Sequence, residues 1–362
     1  MRFANPLSTL SRLALTGAVV LALASCSDDP EQGPAYNIAK DDNNVFVLNE
    51  GKFLTPNGSI SYFKKSDKKV VDPSIFQTVN QRELGDVVQS MLVVGNQGYI
   101  VVNNSKKLEV VNLTTFQTIT TVTGLEQPRY AVAAGTDKAY ITEWVKYGSP
   151  GRVAVLDLRT NTITKTIPVG KQPEQLVAVN GKVYVANSGD NNLSVINPAT
   201  DAVESTITVP DGPSSLVVDK TGSIWVLGAG FTVYNSQPPY NVISSTPGSL
   251  TKVNPATGTI GSTLLFPGSN PGGLRIDGTG TQLYYRYRAA VYRMNTTDAA
   301  LPTTPFLQRN FSGFNLDPKD NTIYAGVSPS YTNNGKLIRY QTTGTAIDSF
   351  EVGIGPNGFI FY

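Results

Sequence analysis

The sequence is built on a repeat, and its period restricts the fold more than any other property. One unit runs Ile167-Pro168-Val169-Gly170-Lys171-Gln172-Pro173, then Leu176-Val177-Ala178-Val179, Val183-Tyr184-Val185-Ala186-Asn187 and Leu193-Ser194-Val195-Ile196-Asn197-Pro198. Aligned on the turn residue three places before the first apolar strand residue, the pattern recurs at Val88, Pro128, Pro173, Pro213, Pro271, Phe311 and Pro356. Five of these seven anchors are proline, and the spacings are 40, 45, 40, 58, 40 and 45 residues. A base period near 40 with insertions is that of β-propeller blades.

Each unit reads as four short strands with alternating apolar residues, bounded by Gly, Asn, Asp and Pro turns. No capped amphipathic stretch reads as a long helix. The repeats open on a second-strand sequence at 44–48, with third and fourth strands expected at 58–63 and 69–76. They end on an anchor and a first strand at 356–362. The last strand is therefore expected to complete the blade begun at residue 44, giving an all-β, seven-bladed β-propeller of four-stranded blades over residues 44–362. Closure removes the exposed sheet edges that promote aggregation. A two-domain sandwich does not predict seven anchors in register.

The N-terminus carries a different signal. Arg2 and Arg12 precede an apolar or small run, 13–25, too short for a membrane-spanning helix. It ends in Leu23-Ala24-Ser25-Cys26, which resembles a bacterial lipobox with Cys26 as the lipidated first residue of the mature chain. Residues 1–25 then form a lipoprotein signal peptide, and 26–43 a lipidated Cys and flexible tether. Ser27-Asp28-Asp29-Pro30-Glu31 resembles the surface-export signal of Bacteroidetes lipoproteins. Cleavage removes Arg2 and Arg12, taking 29 basic residues to 27 against 27 acidic ones. The mature chain has no net charge and offers no general electrostatic attraction for nucleic acid.

The unit from Ile167 to Thr200 resembles the YncE-like, YVTN-type propellers of exported bacterial proteins, with 183–187 matching the name-giving strand. Among Bacteroidetes surface lipoproteins, the chain is similar to the BtuG type in anchor, export signal, length and blade count. That resemblance implies a protein of the outer-membrane surface, held by a lipid anchor alone. It would capture a small molecule, with cobalamin or a related corrinoid first, and deliver it to a TonB-dependent transporter.

On a propeller, connections after second and fourth strands share one face, and function lives in such loops. The insertions that disturb the period fall there: 49–58, 143–151, 228–248 and 328–335. They hold Phe53, Trp144, Tyr147, Phe231, Tyr234, Tyr240 and Tyr331, an aromatic set suited to stacking on a flat ligand, a sugar or a partner protein. Arg129, Arg286 and Arg288 fall near the same face and could grip phosphate, carboxylate or amide oxygens. These ten residues are the expected ligand-binding set.

Catalytic signals are sparse. The chain has no histidine and one cysteine. Ser-His-Asp and Cys-His catalysis, His-containing zinc sites and internal disulfides are thereby excluded. Residues 188–192 are Asx-rich but lack EF-hand spacing. Glu143, Glu174 and Asp277 show no spacing that makes a pair. The expectation is a binding protein, not an enzyme, with no cofactor, catalytic residue or metal. The alternatives are a structural or adhesive surface propeller binding a protein or glycan and, behind it, a His-free carboxylate enzyme.

Overall fold

The computed structural model describes residues 33–362. Cys26, the expected signal peptide and residues 26–32 of the expected tether lie outside them. The described strands form seven blades and one extra hairpin. The first blade joins Pro356–Phe361 to Asn44–Asn49, Ser59–Lys64 and Lys69–Asp72. The others span 88–122, 128–171, 173–208, 213–265, 272–295 and 313–352. The first strand of every blade touches its counterpart in the next, and Pro356–Phe361 touches both Gly313–Leu316 and Val88–Val94. That closes the ring around a central channel.

The core explains the sequence pattern. Seven apolar clusters lie one at each blade–blade boundary. Successive residues of a strand point to opposite faces, so one strand serves two clusters. In Lys138–Glu143, Ala139 and Ile141 pack with Tyr99 and Val101 of the second blade. Tyr140 turns the other way, to Val183 and Val185 of the fourth. Burial on both faces makes a second strand read as a continuous apolar run, as in Lys182–Asn187.

The anchors have a backbone cause. The residue before six of them, at 87, 127, 172, 212, 270 and 355, takes a left-handed conformation with φ between +44° and +69°. Entry to each of these inner strands uses the same sharp turn. A register shift follows in the pairing of these six inner strands. Such bulges re-aim side chains, here at the channel mouth.

Three details depart from the repeat. The sixth blade has three strands, Gly272–Ile276, Gln282–Tyr287 and Ala290–Asn295. Its fourth position is taken by a segment containing Pro302 and Pro305, which lack the N–H a ladder needs; only Leu307 bridges to Val291. The strand expected at 69–76 stops at Asp72, before Pro73, and a short helix, Ile75–Asn80, follows. Ile75, Phe76 and Val79 bury its inner side. Finally, the expected flexible tether is packed in its described part. Ile38 is buried against Phe46 and Phe116, and the Tyr36 hydroxyl donates to Asp72 at 2.7 Å. Two apolar residues in a polar segment suffice to seat it.

Candidate functional site

The inner strands enter the channel beside one another, so residues far apart in sequence meet at its mouth. There a polar cavity of about 460 Å³ is lined from all seven blades. Its charged residues are Glu50, Arg129, Glu174, Arg275 and Arg286. A second cavity of about 550 Å³ shares Glu50, Arg286 and Ser312 with it and extends to Tyr331.

The charges divide into two groups. Arg129 meets Glu174 at 2.9 Å, donates to Gln89 Oε1 at 2.6 Å and stacks over Trp144 at 4.5 Å. The Trp144 indole N–H donates to the Pro173 carbonyl at 3.1 Å, so the stack is pinned from both sides. Burial pushes the Glu174 carboxyl up, and Arg129 offsets part of this. Across the channel, Arg275 donates to the carbonyls of Phe314 and Leu274 at 3.0 and 2.8 Å. Arg286 donates to those of Phe311 and Ser312 at 2.6 and 3.0 Å. Neither forms an ion pair among the described residues. Burial also pushes the Glu50 carboxyl up, against a hydrogen bond from Asn357 at 2.8 Å.

Exposed aromatics collect on the loops of this face. The exposed aromatic side chains among the described residues are Phe53, Tyr147, Tyr234, Tyr240 and Tyr331. All lie on connections after second strands, hence on the face where the cavity opens. Those connections belong to the first, third, fifth and seventh blades. Between them, the second, fourth and sixth blades have short connections.

Residues 43–353 match the family described as a domain of unknown function, DUF5074. The chain belongs to the DUF5074 family. No curated protein matches the sequence. Among solved structures, this DUF5074 chain is similar to a quinonprotein alcohol dehydrogenase-like protein from Bacteroides thetaiotaomicron VPI-5482. The TM-score is 0.67 and the identity 12%, over 88% of this chain and 78% of that one. It is also similar to a functionally unknown protein from Desulfotomaculum acetoxidans, with TM-score 0.62 and 13% identity over 88% and 98%. Hydrazine synthase of Kuenenia stuttgartiensis follows, with TM-score 0.53 and 16% identity over 72% and 85%. At such identities the likeness shows the fold alone.

Of the expected binding residues in this DUF5074 propeller, Arg129 and Arg286 line the channel cavity and Tyr331 the one beside it. Trp144 is half-buried and pinned under Arg129, edge-on to Tyr147 at 6.3 Å. Phe231 is half-buried at the base of the extra hairpin, Thr232–Tyr234 and Val242–Ser245, which holds Tyr234. Tyr240 lies in the loop joining its two strands. Phe53 lies on its own loop, and Arg288 is exposed over Tyr287. None of these seven lines a cavity with the arginines.

Sequence reasoning missed Glu50, Gln89, Tyr130, Arg275 and Asn357, and weighed Glu174 only as an acid. The carboxylates considered for chemistry have other tasks. Glu143 is fully buried on Arg152 at 2.5 Å. Asp277 accepts from the N–H groups of Thr281 and Gln282, closing a turn. Residues 188–191 form the turn into Asn192–Asn197, closed by the Asp190 N–H on the Asn187 carbonyl at 3.0 Å, and the Asp190 carboxylate accepts from the Lys171 N–H at 2.7 Å. Among the described residues no group of three His, Cys, Asp or Glu is placed to hold a metal ion, and no helix is long and apolar enough to cross a membrane.

Proposed function

We propose that this propeller is a binding protein, not an enzyme, and that it captures a ligand on the face where the channel opens. The observation that carries this reading is the collection of exposed aromatics on the face where a polar, arginine-bearing cavity opens, with Tyr331 lining the cavity beside it. Exposed aromatics collected on one face, rather than scattered singly, mark a contact surface. Rings standing around polar donors suit a ligand that is flat and carries amide or anionic edges. A corrinoid has that shape and leads our candidates. Its macrocycle would lie across the mouth, above the cavity. With no histidine in the chain, it would be held by stacking and hydrogen bonds, without imidazole coordination to cobalt.

We further propose that Cys26 is lipidated, that the protein stands on the outer-membrane surface and that it passes its ligand to a TonB-dependent transporter. Support comes from the lipobox-like 23–26 and the Ser-Asp-Asp that follows. A second reading, a surface adhesin for a protein or glycan, draws on the extra hairpin. It exposes Val233, Tyr234, Val242 and Ile243, an apolar surface fit for a protein partner.

Calorimetry with cyanocobalamin separates the two readings. Binding at micromolar ligand is expected, and its absence would sink the corrinoid assignment. Tyr147→Ala and Tyr331→Ala should each weaken binding about tenfold or more. Their melting temperatures should stay at the wild-type value, because both rings are mostly exposed (78% and 66%). An equal loss of stability would mean that the rings pack their own loops. Cys26→Ser should move the protein from the membrane fraction to the soluble fraction; retention on membranes would refute lipidation.

A further inference from the structure

The channel mouth contains more positive charge than its carboxylates can balance. Three guanidinium groups, Arg129, Arg275 and Arg286, line it with two carboxylates, Glu50 and Glu174. Glu174 is committed to Arg129, with Oε1 at 2.9 Å and Oε2 at 3.3 Å from the same nitrogen. Glu50 accepts from Asn357 and forms no ion pair among the described residues. Arg275 and Arg286 are therefore left with backbone carbonyls. A guanidinium carries five donor hydrogens. Arg286 spends one nitrogen on Phe311 and Ser312, and its buried Nε has no acceptor.

The backbone keeps this group accessible. Gly273 lies against the Arg286 guanidinium, and a Cβ there would stand 3.0 Å from its Nε. Gly273 also has φ +65°, so the position disfavours any side chain. Burying like charges without a counter-ion is costly. The fold nevertheless places both in one cavity, where each makes ionisation of the other less favourable. Guanidinium groups with free donors are the preferred partners of phosphate and carboxylate oxygens.

We propose that the channel mouth is an oxyanion site, in which Arg275 and Arg286 together bind a phosphate or carboxylate group. The Tyr130 hydroxyl, which accepts from Gln89 at 3.2 Å and lines the same cavity, is positioned to donate to that group. Glu50 opposes binding whenever it is ionised. The site deepens the capture reading by naming the ligand's anchoring group, and rests on it only for the ligand as a whole.

The test is calorimetry of the purified full chain with inorganic phosphate and with acetate, at low ionic strength. Wild type should bind phosphate, and Arg275→Gln and Arg286→Gln should each weaken it about tenfold or more. Glu50→Gln should strengthen it several-fold. This variant keeps the Asn357 hydrogen bond within reach and moves the affinity the opposite way, so misfolding cannot imitate it. Tighter binding of acetate than phosphate would assign the anchored group as a carboxylate. Competition of phosphate with cyanocobalamin, but not with phosphate-free cobinamide, would place the ligand's own phosphodiester in the site. Phosphate binding without competition would assign it to a free anion. Failure of wild type to bind either ion at millimolar concentration would overturn the proposal, as would unchanged affinity in both arginine variants. Phosphate binding without cyanocobalamin binding would overturn the corrinoid reading alone. Cyanocobalamin binding that both arginine variants retain, without phosphate binding, would overturn the oxyanion site alone.

Discussion

Removing residues 356–362 is expected to abolish cooperative unfolding, leaving an aggregation-prone chain with no sharp melting transition. The deleted strand is the inner strand of the first blade. It pairs with Asn44–Asn49 through Val45↔Phe361, Phe46↔Ile360, Val47↔Phe359, Leu48↔Gly358 and Asn49↔Pro356. Phe359 is buried between the seventh and first blades beside Val47, Phe63 and Tyr324. Burial of that ring alone is worth about 2–3 kcal/mol. Deletion also opens the boundary clusters on either side of the first blade and exposes the Asn44–Asn49 edge. Whole domains are stable by only about 5–15 kcal/mol, so the combined loss exceeds what the ring can absorb. Two glycines provide a finer check. A Cβ on Gly313 would lie 2.0 Å from the Asn357 carbonyl, and one on Gly326 would lie 2.1 Å from that of Pro356. Gly313→Ala and Gly326→Ala should therefore lower the melting temperature by obstructing closure. A sharp transition in the deletion variant at the wild-type temperature would refute the role of the closing strand.

Arg129→Ala should cost about 3 kcal/mol of stability, read as a shift in the denaturant midpoint. The guanidinium contacts Glu174, Gln89 and Trp144 together. Deleting it leaves a carboxylate beside the channel without its counter-charge, and breaking a buried pair costs more than the pair contributes. Arg129→Lys should recover little, because an ammonium cannot reproduce the forked bond and the stack. Arg129→Ala combined with Glu174→Gln should recover roughly half, since no charge is then stranded. The dependence on pH has a fixed sign. Glu174 has a raised folded-state pKa, so its ionised form disfavours the fold, and the penalty fades as pH falls through that range. The gap between Arg129→Ala and wild type should narrow from neutral to mildly acidic solution. A constant gap would place the cost in lost packing on Trp144.

The ring was legible in the sequence because each blade meets the same local demands. A left-handed turn recurs before the anchors, strands alternate, and second strands are buried on both faces, so the pattern repeats in print. The helix Ile75–Asn80 was not legible. It is short, and the apolar Ile75 and Phe76 fit a strand equally well until Pro73 is seen to end the preceding one. The site was readable only in part. Arg129 follows an anchor and Arg286 ends a second strand, which places both near the loop face. Glu50 and Arg275 gave no such signal, because their meeting depends on ring closure, which joins residues more than two hundred positions apart. Trp144 shows the opposite effect. Its place in an insertion suggested a ligand contact, while its N–H and its ring are both engaged by the protein.

The way the chain enters the ring has a mechanical consequence. Asn44–Asn49, the first strand among the described residues, is paired on both sides, with Ser59–Lys64 and with Pro356–Phe361. Ladder bonds run perpendicular to the strands. A pull on the N-terminal end therefore loads both ladders in shear, sharing the force over many bonds, where an edge strand would unzip one bond at a time. The contacts of Ile38 and Tyr36 lie ahead of the strand on the path of that pull. A load applied at residue 44 would be borne by the ring as one body.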